Sequence, residues 1–319
     1  MKRSLLAVIT TSILGLAYST SAMAALTPFE ENTGDGDISC GFKNDAGKVV
    51  IAAKYDSCGQ FHDGLAYVGI DNGSKDGYRH VQGFIDQTGK LVIPVKHEAQ
   101  DRRHGGGGLY QNFSEGLFAI YNQGYYGYMD KQQKLVIPYK YDEAGEFSEG
   151  LAVVVSDDFY GAINKAGKLV VPTKYAYIGS YSEGIAPYSN MGSSEKLGYI
   201  SNKGEVVLNP KWGAVEPFSE GLAAVAVEQA GGYKWGVIDT KGNYIVQPKY
   251  DQVKVQTSNE EIEGDSGRYK KGVIYMYDFA NKKDPYTSKI IRHTLDKAGK
   301  LVTSKTYNDW EAVEKDYKL

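Results

Sequence analysis

The sequence predicts an all-β protein: tandem repeats of antiparallel three-stranded β-meanders, closed into a propeller-like ring or running as an open β-solenoid. Three observations carry this expectation. One phrase recurs at least six times with fixed internal spacing. Each copy resolves into short apolar runs divided by turn residues. The chain of 319 residues, 42% hydrophobic and with 38 Gly, has the composition of a globular protein rich in turns.

The first 24 residues stand apart from the pattern. Lys2 and Arg3 precede an apolar stretch from Leu5 to Leu16, and Ala22-Met23-Ala24 supplies small residues at a cleavage site, the order of a secretory signal peptide. A cut after Ala24 would place the mature chain in the periplasm or outside the cell, and no cysteine follows that cut to take a lipid. No later stretch is apolar for long enough to span a bilayer, so no membrane span is expected. Lys plus Arg number 36 against 39 Asp plus Glu with no basic block, which removes the electrostatic footprint of a nucleic-acid binder. Cys40 and Cys58 are the only cysteines. Export and an even count favour a disulfide between them, worth on the order of 3 kcal/mol through its restriction of the unfolded chain. Two buried thiols are the alternative; a redox pair fits less well, because the spacing is not Cys-x-x-Cys.

The repeated phrase opens at Gly41, Gly83, Gly127, Gly161, Gly198 and Gly236. Six residues on stands Gly47, Gly89, Gln133, Gly167, Gly204 or Gly242, and seven beyond that a lysine, at Lys54, Lys96, Lys140, Lys174, Lys211 and Lys249. A second glycine follows ten later at Gly64, Gly150, Gly184 and Gly221, whereas Lys96 and Gly116 are separated by a ten-residue insertion. Rigid spacing within units and variable spacing between them marks a repeated supersecondary element. Gly-aromatic-Ile-Asp, then x-x-Gly-Lys, then Leu-Val-Ile reads as a hairpin closed by an Asp and Gly turn. Pro94, Pro138, Pro172, Pro210 and Pro248 are expected to end the second strand. Ser-Glu-Gly reads as another turn and Gly-Leu-Ala-x-Val as a third strand, giving a meander that must stack on its neighbours to bury its apolar face.

Taken together, Lys234-Trp235-Gly236-Val237-Ile238-Asp239, the Gly-Lys turn, the Pro-x-Lys-Tyr-Asp phrase and Phe-Ser-Glu-Gly-Leu-Ala resemble the bacterial WG repeat, also called the KWG repeat, from about Gly41 to Asp251. Only one copy has the eponymous tryptophan; the others carry Cys40, Gln82, Tyr126, Tyr160 or Leu197 before the glycine. The resemblance implies a β-rich tandem array with no established catalytic centre, usually a binding or interaction scaffold, and no family-wide ligand. The expected organisation is a signal peptide over 1–24, an array of about six repeats over 25–251, and a degenerate capping repeat over 252–319, where His293 to Val302 reads as one more hairpin.

Candidate chemistry is sparse. His97 begins His-Glu-x-x-Asp rather than His-Glu-x-x-His, and His104 lies close by beside four glycines, so a polar loop is favoured over a metal site. Arg102 and Arg103 sit in the same insertion. Asp63, Glu115, Glu149, Glu183 and Glu220 fall at one position of the unit. Such a repeated residue reads as a turn-stabilising acceptor, with the recurring lysine as its candidate partner, rather than as half of a catalytic carboxylate pair. Tyr55, Tyr141, Tyr175, Trp212 and Tyr250 follow the lysine. Packing between repeats is favoured for them; an exposed face of rings including Tyr175, Trp212 and Tyr250, able to stack on sugars or anchor a partner, is the alternative. Residues that break the pattern, Ile70 to Gln82 and His97 to Asn112, are the better candidates for recognition. No nucleophile elbow, dinucleotide fingerprint or metal motif appears, so no catalytic residue, metal or cofactor is expected. The expected role is an exported non-enzymatic scaffold that binds another protein in the cell envelope, an immunity protein against a secreted toxin being a special case. The alternatives are a binder of envelope glycan such as peptidoglycan, and a hydrolase built on loop carboxylates.

Overall fold

The computed structural model describes residues 26–32, 38–74, 77–98, 112–192, 196–230, 232–253, 271–281 and 288–317, with 71–74, 77–80, 97–98, 314 and 317 described by their backbone alone. The predicted signal peptide lies outside them. Seven antiparallel sheets of three or four strands follow one another along the described chain. The first holds Leu26–Asn32, Ile38–Asn44 and Val49–Tyr55; the second Ser57–Cys58, Leu65–Ser74, Gly77–Asp86 and Leu91–Glu98; the third Leu117–Asn122, Tyr125–Asp130 and Leu135–Tyr141. The fourth comprises Glu143–Ser148, Leu151–Ser156, Phe159–Asn164 and Leu169–Tyr175; the fifth Tyr177–Ile178, Ile185–Ser189, Leu197–Ser201 and Val206–Trp212. Ala214–Val215, Leu222–Gln229, Gly232–Asp239 and Tyr244–Tyr250 form the sixth; Val273–Phe279, Ile290–Asp296 and Leu301–Tyr307 form the seventh, and a helix, Trp310–Tyr317, follows it.

The hairpins fall where the Asp and Gly turns place them. Asp130 Oδ1 accepts the amides of Gln132 and Lys134, both at 2.9 Å, which closes the turn between Tyr125–Asp130 and Leu135–Tyr141. The phase of the meander differs from the expected one. Gly-Leu-Ala-x-Val does not extend the sheet before it; Leu151–Ser156 pairs with Phe159–Asn164 of the following hairpin, and a leading strand of two to six residues adds a fourth member to most sheets. The prolines do not end their strands either. Leu135–Tyr141 runs through Pro138 as an edge strand, with a register shift between Ile137 and Tyr141. Proline is tolerated on an edge strand, where its missing donor breaks no ladder, and with Lys140 two places on it blunts the open edge.

That shift explains the opening glycines. The displaced edge strand crosses directly over them, so a Cβ on Gly236 would stand 2.5 Å from the carbonyl oxygen of Val246, and on Gly161 2.7 Å from that of Val171. The glycine is required for close approach of two backbones.

Successive sheets pack face to face. Phe42, Ile51 and Tyr55 of the first meet Ala66, Val68 and Ile85 of the second, and equivalent clusters join each later pair in turn. Cys40 and Cys58 form a disulfide with Cα atoms 6.0 Å apart, tying the first sheet to the leading strand of the second. No strand pairing and no apolar cluster joins the first sheet to the seventh among the described residues. The sequence carries a reason. Two places after each opening glycine, Ile85, Met129, Ile163, Ile200 and Ile238 are buried against the preceding sheet. The first copy has Lys43 there, exposed, and among the described residues no sheet precedes it.

At the other end the helix covers the face that would receive an eighth sheet: Val313 is fully buried and Trp310 packs with it against Tyr277, Ile290 and Tyr307. Asp316 fastens the helix by accepting from Arg292 and Tyr307, both at 2.6 Å, and from the Lys305 ammonium. The Lys305 bond first, then Tyr307 and Arg292, hold the Asp316 carboxyl well below the usual carboxylate range. A depressed folded pKa stabilises only while the group is charged, so the contribution is complete above the unfolded value of about 4 and is lost as pH falls further toward the folded one. Asp316→Asn should therefore lower the resistance of the helix to unfolding at pH 7 and make little difference in strong acid. Denaturation followed by Trp310 fluorescence in a chain with Trp212 and Trp235 replaced by tyrosine checks this.

Candidate functional site

The recurring Ser-Glu-Gly turns are two-residue hairpin turns in which both central residues have positive φ: 54° and 80° at Glu149 and Gly150, 56° and 77° at Glu183 and Gly184. A glutamate is disfavoured in that region, so the position is held by what its side chain does. The Glu149 carboxylate accepts the amides of Glu183 and Gly184 at 2.6 and 2.7 Å, and Glu183 in turn accepts those of Glu220 and Gly221 at 2.5 and 2.9 Å. Asp63 reaches Gly116 at 3.2 Å, Glu115 reaches Gly150 at 3.0 Å and Glu220 reaches Gly272 at 3.0 Å. The preceding serine adds a second strut, donating to the carbonyl of the next unit's aromatic: Ser114 to Phe147 at 2.6 Å, Ser148 to Tyr181 at 3.1 Å, Ser182 to Phe218 at 2.7 Å. The carboxylates are thus turn-stabilising acceptors, but of the following unit's turn rather than their own. The ladder stops at Lys271, which stands where a glutamate is needed and cannot accept.

The recurring lysines are not the carboxylates' partners. Glu115 and Glu220 pair instead with Lys165 at 3.0 Å and Lys297 at 2.9 Å, from Gly-Lys-type turns. Five of the six recurring lysines, all but Lys96, lie over the ring that follows them, from Lys211 over Trp212 at 4.4 Å to Lys174 over Tyr175 at 5.3 Å. Those rings face inward. Tyr175, Trp212 and Tyr250 are 5%, 0% and 6% exposed, so they form no exposed stacking face, and the reading in which they pack between repeats fits their surroundings. The cross-strand neighbour of each is the residue before the opening glycine: Tyr160 opposite Tyr175, Leu197 opposite Trp212, Trp235 opposite Tyr250.

A family model for the WG-containing repeat matches five segments, residues 41–73, 126–158, 160–190, 198–229 and 235–255. The chain belongs to the WG-repeat proteins. The three letters of the KWG phrase have separate roles in this WG-repeat chain: Lys234 pairs with Asp251 of the Pro-x-Lys-Tyr-Asp phrase, Trp235 packs half-buried on the sixth interface, and Gly236 lies under the edge strand. The chain is also similar to solved structures. Hsv2 of Kluyvelomyces marxianus is 11% identical over 88% of this chain and 98% of that one, with a TM-score of 0.44. The β-propeller domain of the Trilobed protease from Pyrococcus furiosus is 12% identical over 90% of this chain and 98% of that one, with a TM-score of 0.43. No functionally curated protein matches the chain significantly.

The segment that the WG-repeat matches pass over, 74–125, contains much of both pattern-breaking regions. Leu65–Ser74 and Gly77–Asp86 are ten residues each, against six for the equivalent strands of the third sheet, so the second hairpin extends beyond its neighbours. Leu91–Glu98 lengthens with it, and His97 pairs with Gln82. Residues 97–98, the start of one irregular region, therefore lie at the same end of the second sheet as 70–74 and 77–82 of the other. Arg102, Arg103 and His104 lie outside the described residues. Among the residues whose side chains are described, no group of three or more His, Cys, Asp or Glu is placed to hold a metal ion, and among the described residues no helix is long and apolar enough to cross a membrane. The Asp316 latch and the helix beneath it had no counterpart in the repeat, and only Asp309, which caps the helix by accepting the Ala312 amide at 2.8 Å, signalled them in the sequence.

Proposed function

We propose that this WG-repeat array is an exported, non-enzymatic scaffold that binds another protein in the periplasm or outside the cell, with its recognition surface at the extended end of the second sheet. The observation that carries this reading is that 97–98, where one pattern-breaking region begins, pair with Val81 and Gln82 of the other, on one sheet of an array whose recurring polar side chains are engaged between units. The carboxylates that the repeat aligns accept turn amides, which speaks for structure rather than catalysis at those positions. Tyr175, Trp212 and Tyr250, the rings on which the glycan reading would rest, are buried, which favours the protein partner over it. Neutralisation of a secreted toxin is a special case of the same reading.

The test is recovery of the mature chain, tagged after Leu319, from its native envelope, beside a variant in which 71–80 and 98–111 are replaced by short Gly-Ser connections. One protein should accompany the native chain in stoichiometric amount and be lost from the variant, while both chains melt alike. Glycan alone, or a protein retained equally by the variant, would overturn the assignment.

A further inference from the structure

We infer that the edge strands of the array form a docking surface for an anionic phospholipid bilayer, separate from the recognition surface proposed above. The closing strand of every sheet begins with two apolar residues, from Val49-Val50 in the first to Leu301-Val302 in the seventh. At least one member of each pair is exposed, between 37% at Val136 and 60% at Val302. Among the described residues, eleven of the seventeen exposed large apolar side chains fall at these two positions of the unit. Scattered singly such residues need no explanation, but a repeat that places them at one register concentrates them.

The fold brings the pairs together. Leu151, which follows a Ser-Glu-Gly turn, stands opposite Asn164, which opens a Gly-Lys turn, so both turns share one end of the sheet. The carboxylate ladder holds that end of one sheet to the same end of the next, and Lys165 and Lys297 cross from their turns to Glu115 and Glu220. The turn glycines also abut the preceding edge strand: a Cβ on Gly89 would lie 3.2 Å from Ile51, on Gly167 3.2 Å from Ile137 and on Gly299 3.3 Å from the Ile245 side chain. The exposed pairs therefore follow one another along one margin of the array.

The charge beside them has one sign. With the residue before each, the seven edge strands carry twelve lysines and two acidic residues, Glu98 and Glu205, in a chain whose totals are 36 basic and 39 acidic. Of the acidic residues in the adjoining turns, Asp86, Asp130, Asp239 and Asp296 each accept two backbone amides, which leaves Asp45. The residue types select the occupant. Hot spots between proteins are rich in Trp, Tyr and Arg, and protein interfaces are poor in Lys. Valine, leucine and lysine suit the headgroup boundary of an anionic bilayer, which takes apolar insertion together with diffuse positive charge. A second copy of the chain would set lysine against lysine.

The mature chain should sediment with vesicles of equal parts phosphatidylglycerol and phosphatidylcholine and not with phosphatidylcholine alone, and should be released at about 0.5 M salt. A variant carrying Leu135→Gln, Val136→Gln, Leu301→Gln and Val302→Gln changes exposed side chains only, so it should melt like the native chain and bind at least about tenfold more weakly. Met191→Gln is the control, since Met191 is as exposed but follows Ile185–Ser189 at the opposite end of its sheet. Replacing 71–80 and 98–111, which tests the protein partner, should leave vesicle binding unchanged, so the two assignments stand or fall separately. The wild-type chain gives an answer that depends on no variant: in bicelles of the anionic mixture a spin-labelled lipid should broaden the methyl resonances of Leu135, Leu169 and Leu301 and spare that of Met191. No association with the anionic vesicles, equal association with the neutral ones, or broadening at Met191 rather than at the leucines would overturn the assignment.

Discussion

Gly236→Ala should destabilise the sixth sheet by on the order of 3 kcal/mol, although it adds a single methyl group. The added Cβ would meet the backbone of the edge strand, 2.5 Å from the Val246 carbonyl oxygen and 2.8 Å from the Pro248 nitrogen, and no rotamer change relieves a backbone contact. Relief requires the bulged edge strand to lift, which would also pull Tyr250 from its place opposite Trp235. Gly145→Ala is the comparison, because its Cβ would lie 3.3 Å from the Val153 oxygen, a distance that a small shift accommodates. Amide exchange should report the loss in the sixth sheet and its two neighbours first, since each sheet of an array contacts only those beside it.

Trp212→Ala should cost about 3–5 kcal/mol, the range for removing a fully buried large aromatic. Trp212 has no exposed surface, stands edge-on to Tyr199 with ring centroids 5.9 Å apart, and donates through Nε1 to the Tyr244 hydroxyl at 3.1 Å. Removing it leaves a cavity between the fifth and sixth sheets, strands the Tyr244 hydroxyl and frees Lys211 from the ring beneath it. Trp212→Tyr should retain most of the stability, because Tyr175 and Tyr250 occupy the same register in neighbouring sheets. Chemical denaturation of the two variants, compared by midpoint and by exchange of the fifth-sheet amides, separates these outcomes. Equal losses would mean that the pocket reads tryptophan specifically.

Much of the architecture was legible because the repeat states it several times. Hairpin positions, the Asp and Gly turns, the inward aromatics after five of the six lysines and the pairing of Cys40 with Cys58 all follow from local chemistry or from counting. The phase was not legible. Leu151 is adjacent in sequence to both the turn before it and the hairpin after it, and only the sheet pairing decides that it belongs to the latter. Pro138 misled for a related reason: it breaks a central strand and is harmless on an edge, and a sequence does not say which strand is the edge. The acceptor role of Glu149 was readable from its place before a turn glycine, but its partners are 34 and 35 residues away. Lys43 was a missed signal. A lysine aligned with Ile85, Met129, Ile163, Ile200 and Ile238 suits a solvated face rather than an apolar interface, and Lys43 is exposed.

At the pattern-breaking site, the sequence located the two irregular regions but not the pairing of 97–98 with Val81 and Gln82, which depends on the extended register of Gly77–Asp86 with both of its neighbours. The division between recurring residues that build and irregular residues that recognise rests on the carboxylate ladder. Amide exchange in Glu149→Gln tests that ladder directly. The account predicts faster exchange at Glu183 and Gly184, one unit downstream, with the amides of Glu149 and Gly150 unchanged, because Glu115 still supports the latter turn. Faster exchange confined to Glu149 and Gly150, with Glu183 and Gly184 as protected as before, would contradict it.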